Sequence, residues 1–171
     1  PNRFRRRFGI GEAAYLLYVG RIEPGKATDE LVRYFVASKE RLRHHLKLLM
    51  VGPLIDYPGP HPYVITTGLV DEQTRLDAYA GASWFVMPSY FESFSIALCD
   101  AWTVRRAALV NGNCTVLAGQ ARRSGAALLY RDYAEFEAAL LRLIQDPATC
   151  AEMGENGRRY VEANYSWNVV L

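Results

Sequence analysis

Two cations and two acids in this chain have the types and spacing to work on a phosphorylated, hydroxyl-rich ligand. Arg21 and Lys26 lie in Gly20-Arg21-Ile22-Glu23-Pro24-Gly25-Lys26-Ala27, between an apolar run and a segment with helical spacing. Cations beside a helix start, here read as capped by Thr28 or Asp29, form a ready anion site. The spacing G-x-x-x-x-G-K is also that of a phosphate-binding P-loop. That loop needs Ser or Thr after the lysine to hold Mg²⁺, and the residue is Ala27. No other predicted strand ends in an aspartate for the metal, so a P-loop-like nucleotide hydrolase is the weaker alternative.

The acids are Glu92 and Asp100, eight residues apart in Glu92-Ser93-Phe94-Ser95-Ile96-Ala97-Leu98-Cys99-Asp100. Asp100 lies between Cys99 and Trp102 in an apolar stretch, where a carboxylate is costly without a partner. Vicinal hydroxyls of a polyol would supply one. The N–H groups of Phe94, Ser95 and Ile96, at the predicted helix start, face either a phosphate or a sugar oxygen.

Other patterns are set aside. Gly9-Ile10-Gly11-Glu12-Ala13-Ala14 fits the loose dinucleotide-binding form but precedes a strand instead of following one, so it reads as a loop. There is no D-x-D, which disfavours transfer through that metal-binding motif. His44, His45 and His61 have neither metal-ligand spacing nor a paired nucleophile and read as satisfied surface residues. Cys99, Cys114 and Cys150 cannot all pair, which fits a reduced, cytosolic protein.

These residues must be held by alternating strands and helices. Apolar, β-rich runs are predicted at Tyr15–Val19, Leu46–Val51, Tyr63–Thr67, Ser83–Pro88, Ala107–Val110 and Ala127–Tyr130. Helical spacing falls between them, as in Leu31, Phe35, Leu42 and Leu46, with a closing helix near Met153–Val161. The alternation indicates βαβ units, and continuous apolar strands such as Leu48-Leu49-Met50-Val51 indicate a sheet covered on both faces. Gly52–Pro62, with four prolines and two glycines, excludes helix. The expectation is a doubly wound, Rossmann-like α/β fold with a parallel sheet of about six strands. Ligands of such sheets sit beyond the carboxyl ends of the strands. Gly20–Lys26, Gly68–Asp71 and Ser89–Ser95 satisfy that condition.

The 171 residues suffice for one domain with a substantial core. No apolar run approaches a bilayer span. Of the 20 basic residues, Arg3, Arg5, Arg6 and Arg7 are crowded at the start, and the rest of the chain is slightly acidic. A nucleic-acid footprint is therefore absent, and the basic stub reads as a solvated end. Pro1 and the run Ser166–Leu171 both read as cuts in a longer protein.

Tyr18-Val19-Gly20-Arg21 with Lys26, Pro88-Ser89-Tyr90-Phe91-Glu92-Ser93-Phe94, and an acid eight past Glu92 resemble the C-terminal domain of retaining GT-B glycosyltransferases, especially the large family 4. Asn111–Gln120 and Tyr165-Ser166-Trp167 resemble a bacterial subgroup. The resemblance implies that residues 1–171 are one donor-binding domain. An acceptor-binding N-terminal domain would precede it, and any peripheral membrane contact at the inner face would run through that absent part. The donor would be a UDP-, GDP- or ADP-sugar, with no metal or other cofactor. The resemblance also assigns roles. Arg21 and Lys26 would hold the donor diphosphate, and Glu92 would contact the transferred sugar. Gly20, Phe94, Ser95 and Ile96 would line the donor, Leu69 and Val70 the base, and Asp100 would bind the ribose. This chain departs from the family at Ala27, where glycine is usual, at Asp100, usually Glu, and at Arg105 and Ala107, usually Gly and Pro. A degenerate, non-catalytic module is the second alternative.

Overall fold

The computed structural model describes residues 2–57 and 59–165. The expected Ser166 and Trp167 features lie outside them. In chain order the elements are α1 (Asn2–Arg7), β1 (Tyr15–Val19), a 3₁₀ turn (Pro24–Lys26), α2 (Thr28–Leu42), β2 (Lys47–Val51) and β3 (Val64–Thr66). Then come α3 (Glu72–Gly81), β4 (Trp84–Met87), α4 (Ile96–Thr103), β5 (Ala108–Asn111), α5 (Thr115–Ser124), β6 (Ala127–Tyr130), α6 (Tyr133–Gln145) and α7 (Pro147–Tyr165). The six strands form one sheet in the order β3-β2-β1-β4-β5-β6, and every pairing is parallel. Chain direction across the sheet reverses between β1 and β4, the topological switch point of a doubly wound fold.

The inner strands are buried because both faces are covered: Tyr15, Leu16, Leu17 and Tyr18 of β1 and Leu48, Leu49 and Met50 of β2 are inaccessible, whereas the edge strands β3 and β6 are partly exposed. Helices present one stripe. In α2 it is Leu31, Phe35 and Ser38, and in α6 Phe136, Leu140 and Leu143. Aspartates cap where the sequence offers them. Asp71 accepts from the Thr74 N–H at the start of α3, and Asp132 from the Glu135 N–H at the start of α6, both at 2.8 Å.

Three expectations are corrected. The basic stub is solvated only in part: Arg3, Arg6 and Arg7 are exposed, but the segment is an anchored element and not a loose end. It forms α1, buries Phe4, and sends the Arg5 guanidinium to the carbonyls of Gly11, Ala13 and Gly81 at 2.9–3.0 Å. Helix α2 is not capped by Thr28 or Asp29. Its cap is Ala27 in the left-handed region (φ 54°), with no side-chain bond. His44 is not a satisfied surface residue. Its Nε2 lies 3.2 Å from the Ser38 hydroxyl, its ring packs on Phe35, and its Nδ1 is buried without a partner.

Two predictions arise here. Ala27 and Arg105 stand where the resemblance leads one to expect glycine, and both are left-handed, at φ 54° and 59°. A Cβ in that region costs roughly 1–2 kcal/mol. Ala27→Gly is therefore expected to stabilise the chain by about 1 kcal/mol, raising Tm by about 2–4 °C in a thermal melt. For His44, burial and then the nearby Lys39 charge push the imidazole from 6.5 down to about 4. The unfolded chain takes up that proton first, so stability is full above about pH 6.5 and falls as pH drops towards 4. Melts at pH 7 and 4.5 are expected to show about 1 kcal/mol less acid loss in His44→Phe, after allowing for the side chain's partial exposure.

Candidate functional site

The loops leaving β1, β2 and β3 are zipped together at the sheet's carboxyl edge. Gly20 N–H donates to the Val51 carbonyl at 3.0 Å, Ile22 N–H to Pro53 at 2.9 Å, and Gly52 N–H to Gly68 at 3.1 Å. The contact admits no side chain: a Cβ on Gly52 would lie 2.0 Å from the Gly20 carbonyl oxygen. Tyr18, buried in β1, donates its hydroxyl to the Arg21 carbonyl at 2.7 Å and so fixes the next residue of the loop. Pro24–Lys26 then turn in a 3₁₀ helix. The Thr28 hydroxyl donates to the Glu23 carbonyl at 2.9 Å and ties the turn to the start of α2.

This turn aims Lys26 across the switch point at the loop after β4. Its Nζ lies 2.8 Å from Glu92 Oε1, with the two side chains only 25% and 12% exposed. Asn111, buried in β5, positions the acid's loop: its amide donates to the Pro88 carbonyl, and its Oδ1 accepts from Asn113 N–H, both at 2.9 Å. Two cavities meet at the pair. One of about 130 Å³ is bounded by Gly20, Lys26, Glu92, Ser95 and Ile96. The other, about 450 Å³, lies between Tyr90–Ser93 and Asn113–Val116. Among the described residues, the N–H groups of Phe94, Ser95 and Ile96 meet no acceptor, and α4 has no side-chain cap.

The remaining expected residues are less tightly gathered. Arg21 is exposed at the rim and pairs with Glu23 at 3.2 Å. Leu69 is exposed and Val70 half-buried in the loop after β3. Phe94 packs edge-on against Tyr165 of α7, centroids 4.9 Å apart. Asp100 has the partner its apolar surroundings require, but it is a protein one: Arg75 of α3, at 2.5 Å. Sequence reasoning missed Arg75, Asn111 and the Asn113–Val116 wall. The last of these follows a strand and meets the condition that picked out the other loops. Among the described residues, no three His, Cys, Asp or Glu side chains gather as metal ligands.

The six-stranded, parallel, doubly wound sheet flanked by helices is the fold of a GT-B glycosyltransferase domain. Solved structures agree on the fold. Anabaena HepE in complex with UDP-glucose superposes with a TM-score of 0.78 at 13% identity, covering 99% of this chain and 49% of that one. Sucrose-phosphate synthase from Thermosynechococcus elongatus gives 0.77 at 22%, covering 99% and 46%. The family model described as Glycosyl transferases group 1 matches residues 2–160, and the chain belongs to that family. A D-inositol 3-phosphate glycosyltransferase 2 of Catenulispora acidiphila is 33% identical over 92% of this chain and 41% of its own length. A D-inositol 3-phosphate glycosyltransferase of Salinispora arenicola is 30% identical over 96% and 41%. The chain thus spans about two-fifths of the length of these curated relatives.

Proposed function

We propose that this chain is the donor-binding domain of a bacterial, family 4-like glycosyltransferase that moves a sugar from a UDP-, GDP- or ADP-sugar to an acceptor with retention and without a metal. The observation that carries the reading is the Lys26–Glu92 pair set between two cavities at the switch point, beside three unpaired N–H groups. Breaking the glycosidic bond leaves negative charge on the departing diphosphate. Lys26, the rim cation Arg21 and the α4 N–H groups are preorganised to meet that charge, commonly the largest catalytic contribution. Glu92 would then be released to sugar hydroxyls, and Asp100 with Arg75 would face the ribose.

We further propose that a second domain supplies the acceptor site. Leu54, Ile55, Leu69, Tyr90, Phe91 and Ile96 stand exposed in the loops and first turn beyond the strands, Phe91 at 86% and Ile96 at 70%. Large apolar side chains collected on one edge favour a covering partner. Alone, the domain would bind donor weakly and transfer little sugar. No helix among the described residues is long and apolar enough to cross a membrane, and a cytoplasmic site of action is part of the proposal.

Calorimetric titration with UDP, GDP and ADP, with and without EDTA and on Arg21→Ala, tests the reading. EDTA-insensitive binding of one diphosphate, weakened by the substitution, is expected. Mg²⁺-dependent preference for triphosphates would overturn it in favour of a hydrolase.

A further inference from the structure

Ser95 is the residue at which the cleft departs most from ordinary chain geometry. It precedes α4 at φ 68°, a conformation a residue with a Cβ seldom adopts; its carbonyl accepts the Cys99 N–H at 3.4 Å, but its side chain makes no cap bond. The residue is 7% exposed, and its Oγ is buried without any partner among the described residues. A strained backbone and an orphaned buried hydroxyl at one position are two penalties that glycine would remove together. Residues of this kind persist where a bound ligand completes them.

The surroundings specify the ligand. Ser95 borders the smaller cavity with Lys26, Gly20 and Ile96, and the N–H groups on either side of it are unpaired donors. The carboxylate there, Glu92, is already held by Lys26. A set of donors and a cation around a space too small for a nucleoside suits phosphoryl oxygens. We infer that the Ser95 hydroxyl, turned into the cavity by a rotation about its Cα–Cβ bond, is itself a ligand of the donor's diphosphate, beyond the contact its backbone N–H makes. The inference rests on the donor-site reading above.

It predicts opposite signs for stability and binding. Ser95→Gly is expected to raise Tm by a few degrees while weakening the affinity for UDP, or whichever of GDP and ADP the unaltered chain binds, by about tenfold. Ser95→Ala, which keeps the strain and removes only the orphaned hydroxyl, is expected to lose the same affinity with a smaller gain in Tm than Ser95→Gly. Calorimetry and a thermal melt on the three proteins give both readouts. If the unaltered chain binds and both variants bind as tightly, the hydroxyl's role is overturned and the donor site stands. If the unaltered chain binds none of the three diphosphates, the donor-site reading falls, and this inference with it.

Discussion

Replacing Lys26 with alanine is expected to weaken binding of the preferred nucleoside diphosphate by about 100-fold. A hydrogen bond to a charged group is worth roughly 1.5–3 kcal/mol, or about 10–150-fold in affinity. The upper part of that range applies because of what the lysine leaves behind. Glu92 is only 12% exposed and has Lys26 as its ion-pair partner. Without the ammonium, a bare carboxylate would face the incoming phosphates. The same pair makes the reciprocal substitution informative. Glu92→Gln removes the group that competes for the ammonium, so a nucleoside diphosphate is expected to bind about threefold more tightly. A sugar nucleotide would lose that advantage, because the carboxylate that should accept from the sugar's hydroxyls is gone. Titration of both variants with diphosphate and sugar nucleotide separates the roles. Equal weakening of the diphosphate by both substitutions would mean that the pair acts as a structural unit and that Lys26 does not turn to the ligand.

Much of this site could be read from residue types, and what could not is mostly a matter of partners. The bounds of β1 and β6 coincide with their apolar runs: β1 is buried on both faces, and the edge strand β6, though half-buried, is apolar along its whole length. Lys26, Glu92, Ser95 and Ile96 were legible because a doubly wound sheet brings the loops after β1 and β4 together whatever their detail. Asp100 was legible as an acid needing a partner. Its pairing with Arg75 depends on how α3 lies against α4, which local spacing does not encode. The Arg5 carbonyl cluster fails for the same reason: Gly81 is 76 residues away. Ala27 and Arg105 show a third kind of gap. As departures from the family they show only a change of residue type, yet each puts a residue with a side chain in a left-handed backbone.

Gly52→Ala is expected to be the most damaging single-methyl change in the chain, destabilising it by about 3 kcal/mol or more. Gly52 follows β2 at φ 143°, where L side chains are rarely found, and its Cβ would meet the Gly20 carbonyl oxygen at 2.0 Å and its carbon at 2.8 Å. Both are backbone atoms, so no rotamer change relieves the clash. The β1 and β2 exits must separate, and the bonds that join them are at risk together: Gly20 to Val51, Ile22 to Pro53 and Gly52 to Gly68. A fall in Tm of about 6–12 °C follows from that energy for a domain of this size. Gly25→Ala is the comparison, because its Cβ would meet nothing nearer than the Glu23 carboxylate at 3.9 Å, and it should change Tm by little. The consequence for the site can be separated from the loss of stability. Below its melting temperature, Gly52→Ala should still bind nucleoside diphosphate more weakly than the unaltered chain, because Gly20 carries Arg21 and the turn that presents Lys26. Unchanged affinity in a variant of lowered Tm would mean that the 3₁₀ turn and the Thr28–Glu23 bond hold Lys26 in place without support from β2.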